Sequence, residues 1–560
     1  MPDVRIGVFI CHCGRNIGAY IDVPQVVEYA KQLPNVVHAE HNLFTCSAEG
    51  TSAIKKGIEE HNLNRVVVAS CTPRTHEPLF RSVCEEAGLN KYLFEMANIR
   101  DQCSWVHMEQ PGEATEKAKG LVASAVAKAR LLEPLEEIEI EVLPSCLVIG
   151  GGIAGMTAAL NLANQGFDVN LVEKEAELGG NLLGIHKLFP TNKDAKDLIT
   201  PVIHQVKEHD NIKTYLGTKV KEISGFIGNY NVTLDSEGEE SKLQTGTVIV
   251  AIGAEEFKPI GQYGYGEMAG IFTQLELEKQ MKEGNVDGQN IVMINCVGAR
   301  VPERPYCTRF CCMTAIKNAA LIKENNPAAK VWVLHRDLMT YGIDFEDYYR
   351  KAEEAGVRFI RYDLSRPPEV VGNGKVEGVK VYHQLRQKEL ELPCDTVVLT
   401  TPLVPHNDND ALSKILKVPL GQEGFFLEAH LKLQPVEFAT DGIYICGSAR
   451  WPVEVSEAIF QGCAAAAKAA IPMRRGYVRP EAITACVDRG LCAGCGICAT
   501  LCPYNAIELK SDNGKKGSSV ITALCKGCGT CAAACPSGAI SMDHFKTEQI
   551  VAQIEALLEC

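Results

Sequence analysis

Eight cysteines near the C-terminus repeat one spacing twice. Cys492, Cys495, Cys498 and Cys502 are followed by Pro503, and Cys525, Cys528, Cys531 and Cys535 by Pro536. Thiolates at C-x2-C-x2-C-x3-C-P intervals hold iron–sulfur cubes, three from one run and the fourth crossing over from the other. Cys492, Cys495, Cys498 and Cys535 are therefore expected around one cube, and Cys525, Cys528, Cys531 and Cys502 around the second. Structural zinc would use paired C-x2-C knuckles, which leaves the third cysteine and the trailing proline of each run unexplained. The chemistry on offer is the movement of single electrons.

A second signal concerns a nucleotide. A strand-like run at residues 146–149 feeds Gly150-Gly-Gly152-Ile153-Ala154-Gly155, then a helical stretch, then a second strand ending at Glu173, 18 positions beyond Gly155. The glycines allow a tight turn and close approach of a pyrophosphate, and the following helix offers it free N–H groups. Glu173 is placed to accept from ribose hydroxyls. A bare G-x-G-x-x-G says little, but strand, helix and acid in order make a dinucleotide site.

The elements around these motifs alternate strand and helix. Apolar runs at residues 4–10 and 66–69 each end in a cysteine loop, Cys11-His12-Cys13-Gly14 and Ser70-Cys71-Thr72-Pro73. Alternation of this kind builds a parallel sheet with its sites at the carboxyl ends of the strands. Cys11, Cys13, Cys46 and Cys71 are expected to gather there as one more cluster, with Cys103 as a competing ligand. A helical stretch at 113–133 and an acidic connector at 136–141 lead into the nucleotide segment. A strand ending at Ala251-Ile-Gly253 and a late one ending at Gly447-Ser448 complete it. The expected domains are residues 1–142, 143–475 and 476–560. Cys84, Cys146, Cys394, Cys446, Cys463, Cys486 and Cys560 have no partner at ligand spacing.

Bulk properties narrow the class. A chain of 560 residues suggests about three domains. The net charge of −14 argues against a nucleic-acid surface. The opening residues, MPDVRIGVFICHCG, lack a secretory pattern. No apolar stretch approaches the roughly 18 residues needed to span a bilayer. The 24 cysteines are thus expected in a cytoplasmic protein, reduced or metallated, in an anaerobic or microaerobic cell.

The order fingerprint, Glu173-Lys174, Gly179-Gly180-Asn181, the Ala251–Gly253 strand end and the late Gly447-Ser448 strand resembles the thioredoxin-reductase-like flavoproteins. That resemblance implies FAD held by Gly150, Gly152, Ile153, Ala154, Gly155, Glu173, Lys174, Gly180, Asn181, Ala251, Gly253, Gly447 and Ser448. Ser448 stands where the group usually has aspartate. The second nucleotide domain departs further, because its strand runs into Cys296-Val-Gly298-Ala-Arg300 with neither a second fingerprint nor a redox-active C-x-x-C. Hydride from a nicotinamide bound by this chain is therefore not expected.

The run Cys296…Cys307-Thr-Arg-Phe-Cys311-Cys312-Met-Thr-Ala-Ile-Lys317, with the N-terminal CHCG and Cys71-Thr-Pro-Arg-x-His76-Glu-Pro, is similar to HdrA, the A-type subunit of heterodisulfide reductase, over essentially the whole chain. Longer members carry an inserted ferredoxin domain, and no such four-cysteine module lies between Cys146 and Cys296. Spacing alone also suits a group of buried cysteines. The resemblance implies that Cys296, Cys307, Cys311 and Cys312 bind a cube near the flavin. It places Lys317, otherwise an ordinary helix lysine, near the reactive ring nitrogen, where a cation favours the reduced anion. The implied fold class is α/β: an N-terminal α/β domain, a thioredoxin-reductase-like two-dinucleotide-fold FAD domain and a C-terminal two-cluster ferredoxin domain. The implied cofactors are one FAD and four 4Fe–4S clusters, two C-terminal, one central and one N-terminal.

The implied function is an electron-transfer subunit that bifurcates electrons at its flavin. Its partners would be B- and C-type subunits, ferredoxin and an electron-input subunit, in a dimer of heteromers, with neither nucleic acid nor membrane insertion. An alternative is an electron-input subunit of another reductase, such as an aromatic-CoA reductase complex, without bifurcation. A non-catalytic scaffold is a third, disfavoured by the intact ligand runs.

Overall fold

A computed structural model describes residues 3–284, 288–512 and 515–559. Cys560 lies outside the described residues. The chain divides into two compact units, residues 1–139 with 479–560, and residues 140–478. The first and last segments, expected as separate domains, thus share one unit.

In that unit, Ile6–Cys11 is buried along its whole length, as a central parallel strand requires. It lies between Val36–Asn42 and Arg65–Ser70, with Phe94–Asn98 beyond, all parallel. The edge strand Val36–Asn42 reads VVHAEHN and is only partly buried. Its polar residues hid it in the sequence. The last segment pairs Ala485–Val487 with Ile540–Met542 and Ile507–Asp512 with Lys515–Val520, both antiparallel. Short helices Ile497–Leu501 and Thr530–Ala533 carry Cys498 and Cys531. Gly494 and Gly527, the matching glycines of the two runs, have φ of 68° and 62°. A Cβ at either would stand 2.7 Å from Lys516 O or 2.4 Å from Ile483 O, so both positions demand glycine.

Helix Thr547–Leu558 packs on helix Pro111–Arg130. Gln549 Nε2 donates to Leu131 O at 2.9 Å, and Lys128 Nζ lies 4.0 Å from the Phe545 ring centre. His544 is buried beside this contact, facing Lys128, Arg81 and Glu95. Burial first, then the two cations, lowers its imidazole to about 4. The unfolded chain takes up this proton near 6.5 and the folded one near 4, so stability falls as pH drops through that window. The full loss is about 3 kcal/mol. We expect His544→Leu to flatten that part of the acid limb, measured as urea midpoints between pH 7 and pH 4.

The second unit repeats one plan. Its first parallel sheet has the order Ile212–Tyr215, Asp168–Val172, Ser145–Ile149, Thr247–Val250, Ile443–Ile445. The second runs Ile271–Thr273, Thr396–Thr400, Asn290–Asn295, Lys330–His335, Arg358–Arg361. A three-stranded antiparallel sheet accompanies each. Ser145–Ile149 and Asn290–Asn295 occupy the equivalent central positions, and each is followed by a helix whose start faces the carboxyl ends of the strands, where such sheets bind ligands. Among the described residues no helix is long and apolar enough to cross a membrane.

Candidate functional site

The Ser145–Ile149 strand delivers Gly150 and Gly152, and Gly152 caps helix Ile153–Ala163 without a side-chain bond, leaving the first N–H groups free. Nothing lies within 4 Å of a Cβ built on Gly152, so the turn is open to a ligand. Behind it, a Cβ on Gly155 would sit 1.9 Å from Gly150 O. Gly155→Ala should force the turn and helix apart at about 1–3 kcal/mol. The expected result is a fall in bound flavin per chain, read from the visible spectrum, with iron content retained.

Glu173 is buried and accepts from Gly151 N at 2.6 Å and Glu175 N at 2.9 Å, which leaves further lone pairs for hydroxyl donors. Gly150, Glu173 and Lys174 line a cavity of about 140 Å³. Lys174 Nζ is 2.6 Å from His406 Nε2 and 3.3 Å from Asp408 Oδ2. A second cavity of about 430 Å³ is lined by Gly152, Ile153, Ala154, Asn181, Ala251, Gly253, Gly447, Ser448 and Lys317. Gly180 backs Gly152, its built Cβ 3.3 Å from Gly152 Cα. Asn181 Nδ2 donates to Ala254 O at 3.0 Å, and Gly447 N donates to Gln461 Oε1 at 3.0 Å. An open glycine turn, a buried carboxylate at the smaller cavity and a larger, mainly apolar cavity fit a dinucleotide with a flat ring.

Lys317 is almost fully buried in the wall of the larger cavity. Its ammonium is ion-paired with Glu278 and donates to Lys187 O at 2.7 Å. Burial lowers its proton affinity, and Glu278 opposes that. Glu278 Oε2 also accepts from His186 N at 2.8 Å. Nearby, Asn318 Nδ2 donates to Gln274 Oε1 at 2.8 Å, and Gln274 Nε2 to Thr400 Oγ1 at 3.0 Å. Glu278 and Gln274 escaped the sequence reading. They sit in QLELEKQMKE, which looks like a solvated helix face, and the only signal was their i, i+4 spacing on a capped helix.

The central cysteines come together. Cys296 follows strand Asn290–Asn295, and Cys311 and Cys312 open helix Cys311–Asn325. Burial pushes the Cys296 thiol up to about 11, with Cys312 and Cys307 adding to the effect. Cys311 is raised by its bond to Cys312, then by burial, and feels Cys296 and Cys307 as well. Cys311 also lines the larger cavity.

In the N-terminal sheet, Cys46 and Cys71 each feel both Cys11 and Cys13, chiefly against a background of burial that raises them. Cys11 Sγ accepts from Cys13 N at 3.2 Å and Thr45 N at 3.4 Å. Cys103 is turned away, its thiol donating to Ala114 O at 3.0 Å. In the last segment, Cys502, Cys525, Cys528 and Cys531 line one small cavity. Cys492 Sγ accepts from Ser518 N at 3.4 Å, and Cys498 is 3.1 Å from Ser518 Oγ. Cys495 is exposed, and Cys535 packs into the same small core as Cys498. Each quartet is all cysteine sulfur, with backbone N–H groups donating to at least one Sγ of each, a donor set suited to iron–sulfur cubes once the thiols are deprotonated. Among the described residues no three His, Cys, Asp or Glu side chains close around a single-ion site.

Comparison with known proteins gives two family matches: pyridine nucleotide-disulphide oxidoreductase over residues 144–462, and the 4Fe-4S dicluster domain over residues 491–539. The chain is 41% identical to the first iron-sulfur A subunit of the CoB–CoM heterodisulfide reductase of Methanopyrus kandleri, over 99% of this chain and 98% of that one. It is 40% identical to the A subunit of the H(2):CoB-CoM heterodisulfide,ferredoxin reductase of Methanothermobacter marburgensis, over 100% and 98%. The A subunit of the H(2)/formate:CoB-CoM heterodisulfide,ferredoxin reductase of Methanococcus maripaludis is 34% identical, over 100% and 99%. Among solved structures, the thioredoxin reductase of Lactococcus lactis covers 59% of this chain and 99% of its own at 18% identity, with a TM-score of 0.43.

Proposed function

The chain belongs to the family of heterodisulfide reductase A subunits, and from that premise we propose that electrons entering it from a partner subunit divide here, one leaving toward a disulfide-reducing partner and one toward ferredoxin. It is an oxidoreductase subunit with FAD-type and 4Fe–4S domains. The relatives' names, heterodisulfide and ferredoxin reductases of several subunits, support the two exits.

The observation that carries this reading is a shared wall: Cys311 and Lys317 belong to one helix and both line the cavity formed by Gly152, Gly253 and Gly447. FAD, when bound, supplies two-electron uptake with one-electron release, and the clusters carry single electrons. The chain positions and tunes them. Gly152 leaves N–H groups for the pyrophosphate, Glu173 accepts from the ribose, and Lys317 presents a buried cation to the ring. We assign the central cluster to Cys296, Cys307, Cys311 and Cys312 and the N-terminal one to Cys11, Cys13, Cys46 and Cys71. The C-terminal pair is held by Cys492, Cys495, Cys498 and Cys535, and by Cys525, Cys528, Cys531 and Cys502.

Anaerobic flavin, iron and sulfide analysis tests the assignment, with one FAD and four cubes expected per chain. Two cubes would remove the central and N-terminal sites. Flavin reduction by a candidate donor, with and without partner subunits, tests the function, and a flavin that never changes redox state overturns it. A second reading, electron input to another reductase without bifurcation, is favoured by length. The alignment with the Methanopyrus relative spans 657 positions against 560 residues here, so that relative carries positions this chain lacks. Ferredoxin reduced in fixed ratio to disulfide reduced selects the first reading, and disulfide reduction alone selects the second.

A further inference from the structure

We infer that Arg300, held by Asp337, sets the reduction potential of the central cluster. This rests on reading Cys296, Cys307, Cys311 and Cys312 as its ligands. The ligand loop is unusually rich in guanidinium groups. Arg300 Nη2 donates to Asp337 Oδ2 at 2.8 Å, and the Cys312 thiol donates to the backbone oxygen of the same Asp337 at 3.7 Å. Guanidinium and ligand sulfur therefore meet at one residue. Arg336 Nη1 donates to Arg300 O at 3.1 Å and Ala299 O at 3.3 Å, which folds a second cation onto the loop. Arg361 Nη2 reaches Asp337 Oδ1 at 3.2 Å. Arg304 Nη1 donates to Gly298 O at 2.5 Å, and Arg309 N donates to Cys307 Sγ at 3.2 Å.

Against these cations stand Asp337, Glu457 (which takes the Arg309 guanidinium at 3.0 Å) and the exposed Glu303. The balance is positive. Helix Cys311–Asn325 adds the same sign, because its N-terminal turn carries two of the ligands and its cap position, Phe310, makes no side-chain bond. The Arg300 side chain is 27% exposed, so water screens it only in part. One electron added to the cube leaves it more negative by one charge. A cation held nearby stabilises that form, and net charge together with N–H···S bonds is a recognised determinant of cluster potential.

Asp337 makes the inference testable by sign. In the full chain, anaerobic redox titration followed by electron paramagnetic resonance would track the central cluster, identified as the signal lost in Cys307→Ser. Arg300→Gln should lower its midpoint so that the reduced-to-oxidised ratio at fixed potential falls about tenfold, or about 59 mV for a one-electron couple. Asp337→Asn should raise it, and Arg300→Lys should restore most of the native value. A merely structural role would move both variants the same way or disperse the signal. Unmoved midpoints, or shifts of one sign in both, overturn the inference. Should Arg300→Gln fail to load the cluster, the upward shift of Asp337→Asn carries the test alone. If no signal disappears in Cys307→Ser, the assignment of the central cluster itself fails.

Discussion

Lys317→Met should destabilise the nucleotide-binding unit by about 3–5 kcal/mol, because it strands the buried Glu278 carboxylate without its counter-ion. Both side chains are 2% exposed. Adding Glu278→Gln should recover most of the loss, since a neutral amide still accepts from His186 N, which now lies 2.8 Å from the carboxylate. The double variant removes the pair rather than breaking it, and such replacement is often near neutral. Urea unfolding of the flavin-loaded chain, followed by flavin fluorescence, measures both numbers. Equal losses in the single and double variants would show that the two groups are not coupled. The same proteins test the role proposed for Lys317. Both lack the buried cation, so both should show a lower flavin midpoint than the native chain, whatever their stability. A native midpoint in the double variant would leave the pair a structural role only.

Cys502→Ala should remove the cube of the other motif. Cys502 belongs in sequence to the first run, yet it shares a cavity with Cys525, Cys528 and Cys531, and it adds, with Cys525 and Cys528, to the raising of the Cys531 thiol that burial chiefly causes. The expected result is a loss of about four irons per chain, with the spectrum of the cube at Cys492, Cys495 and Cys498 retained. Cys535→Ala should give the reciprocal pattern. Loss of the cube at Cys492, Cys495 and Cys498 in Cys502→Ala would refute the crossing.

What the sequence disclosed follows from where its constraints are local. The cysteine runs and the Gly150–Gly155 turn are short, and each fixes its own geometry, so spacing alone exposed them. The partner of Lys317 was hidden because Glu278 lies 39 residues away on another helix, among charges that resemble a wet surface. Cys103 stood as an alternative to the set Cys11, Cys13, Cys46 and Cys71, and in the fold its thiol donates to Ala114 O. The edge strand Val36–Asn42 lacked the continuous apolar character of its neighbour Ile6–Cys11 because only one flank is covered. The pairing of residues 1–139 with 479–560 had no signature at all. It depends on His544, Phe545 and Gln549 meeting helix Pro111–Arg130, and each of these is unremarkable in its own segment.

That pairing bears on biogenesis. Residues 140–478 are translated between the two halves of one compact unit, so helix Pro111–Arg130 emerges from the ribosome long before helix Thr547–Leu558, which packs on it. That side of helix Pro111–Arg130 must wait uncovered while the flavin-binding stretch is made, and only then can residues 479 onward close over it. Nascent chains arrested before that point should be handed to chaperones, and those arrested after it should not.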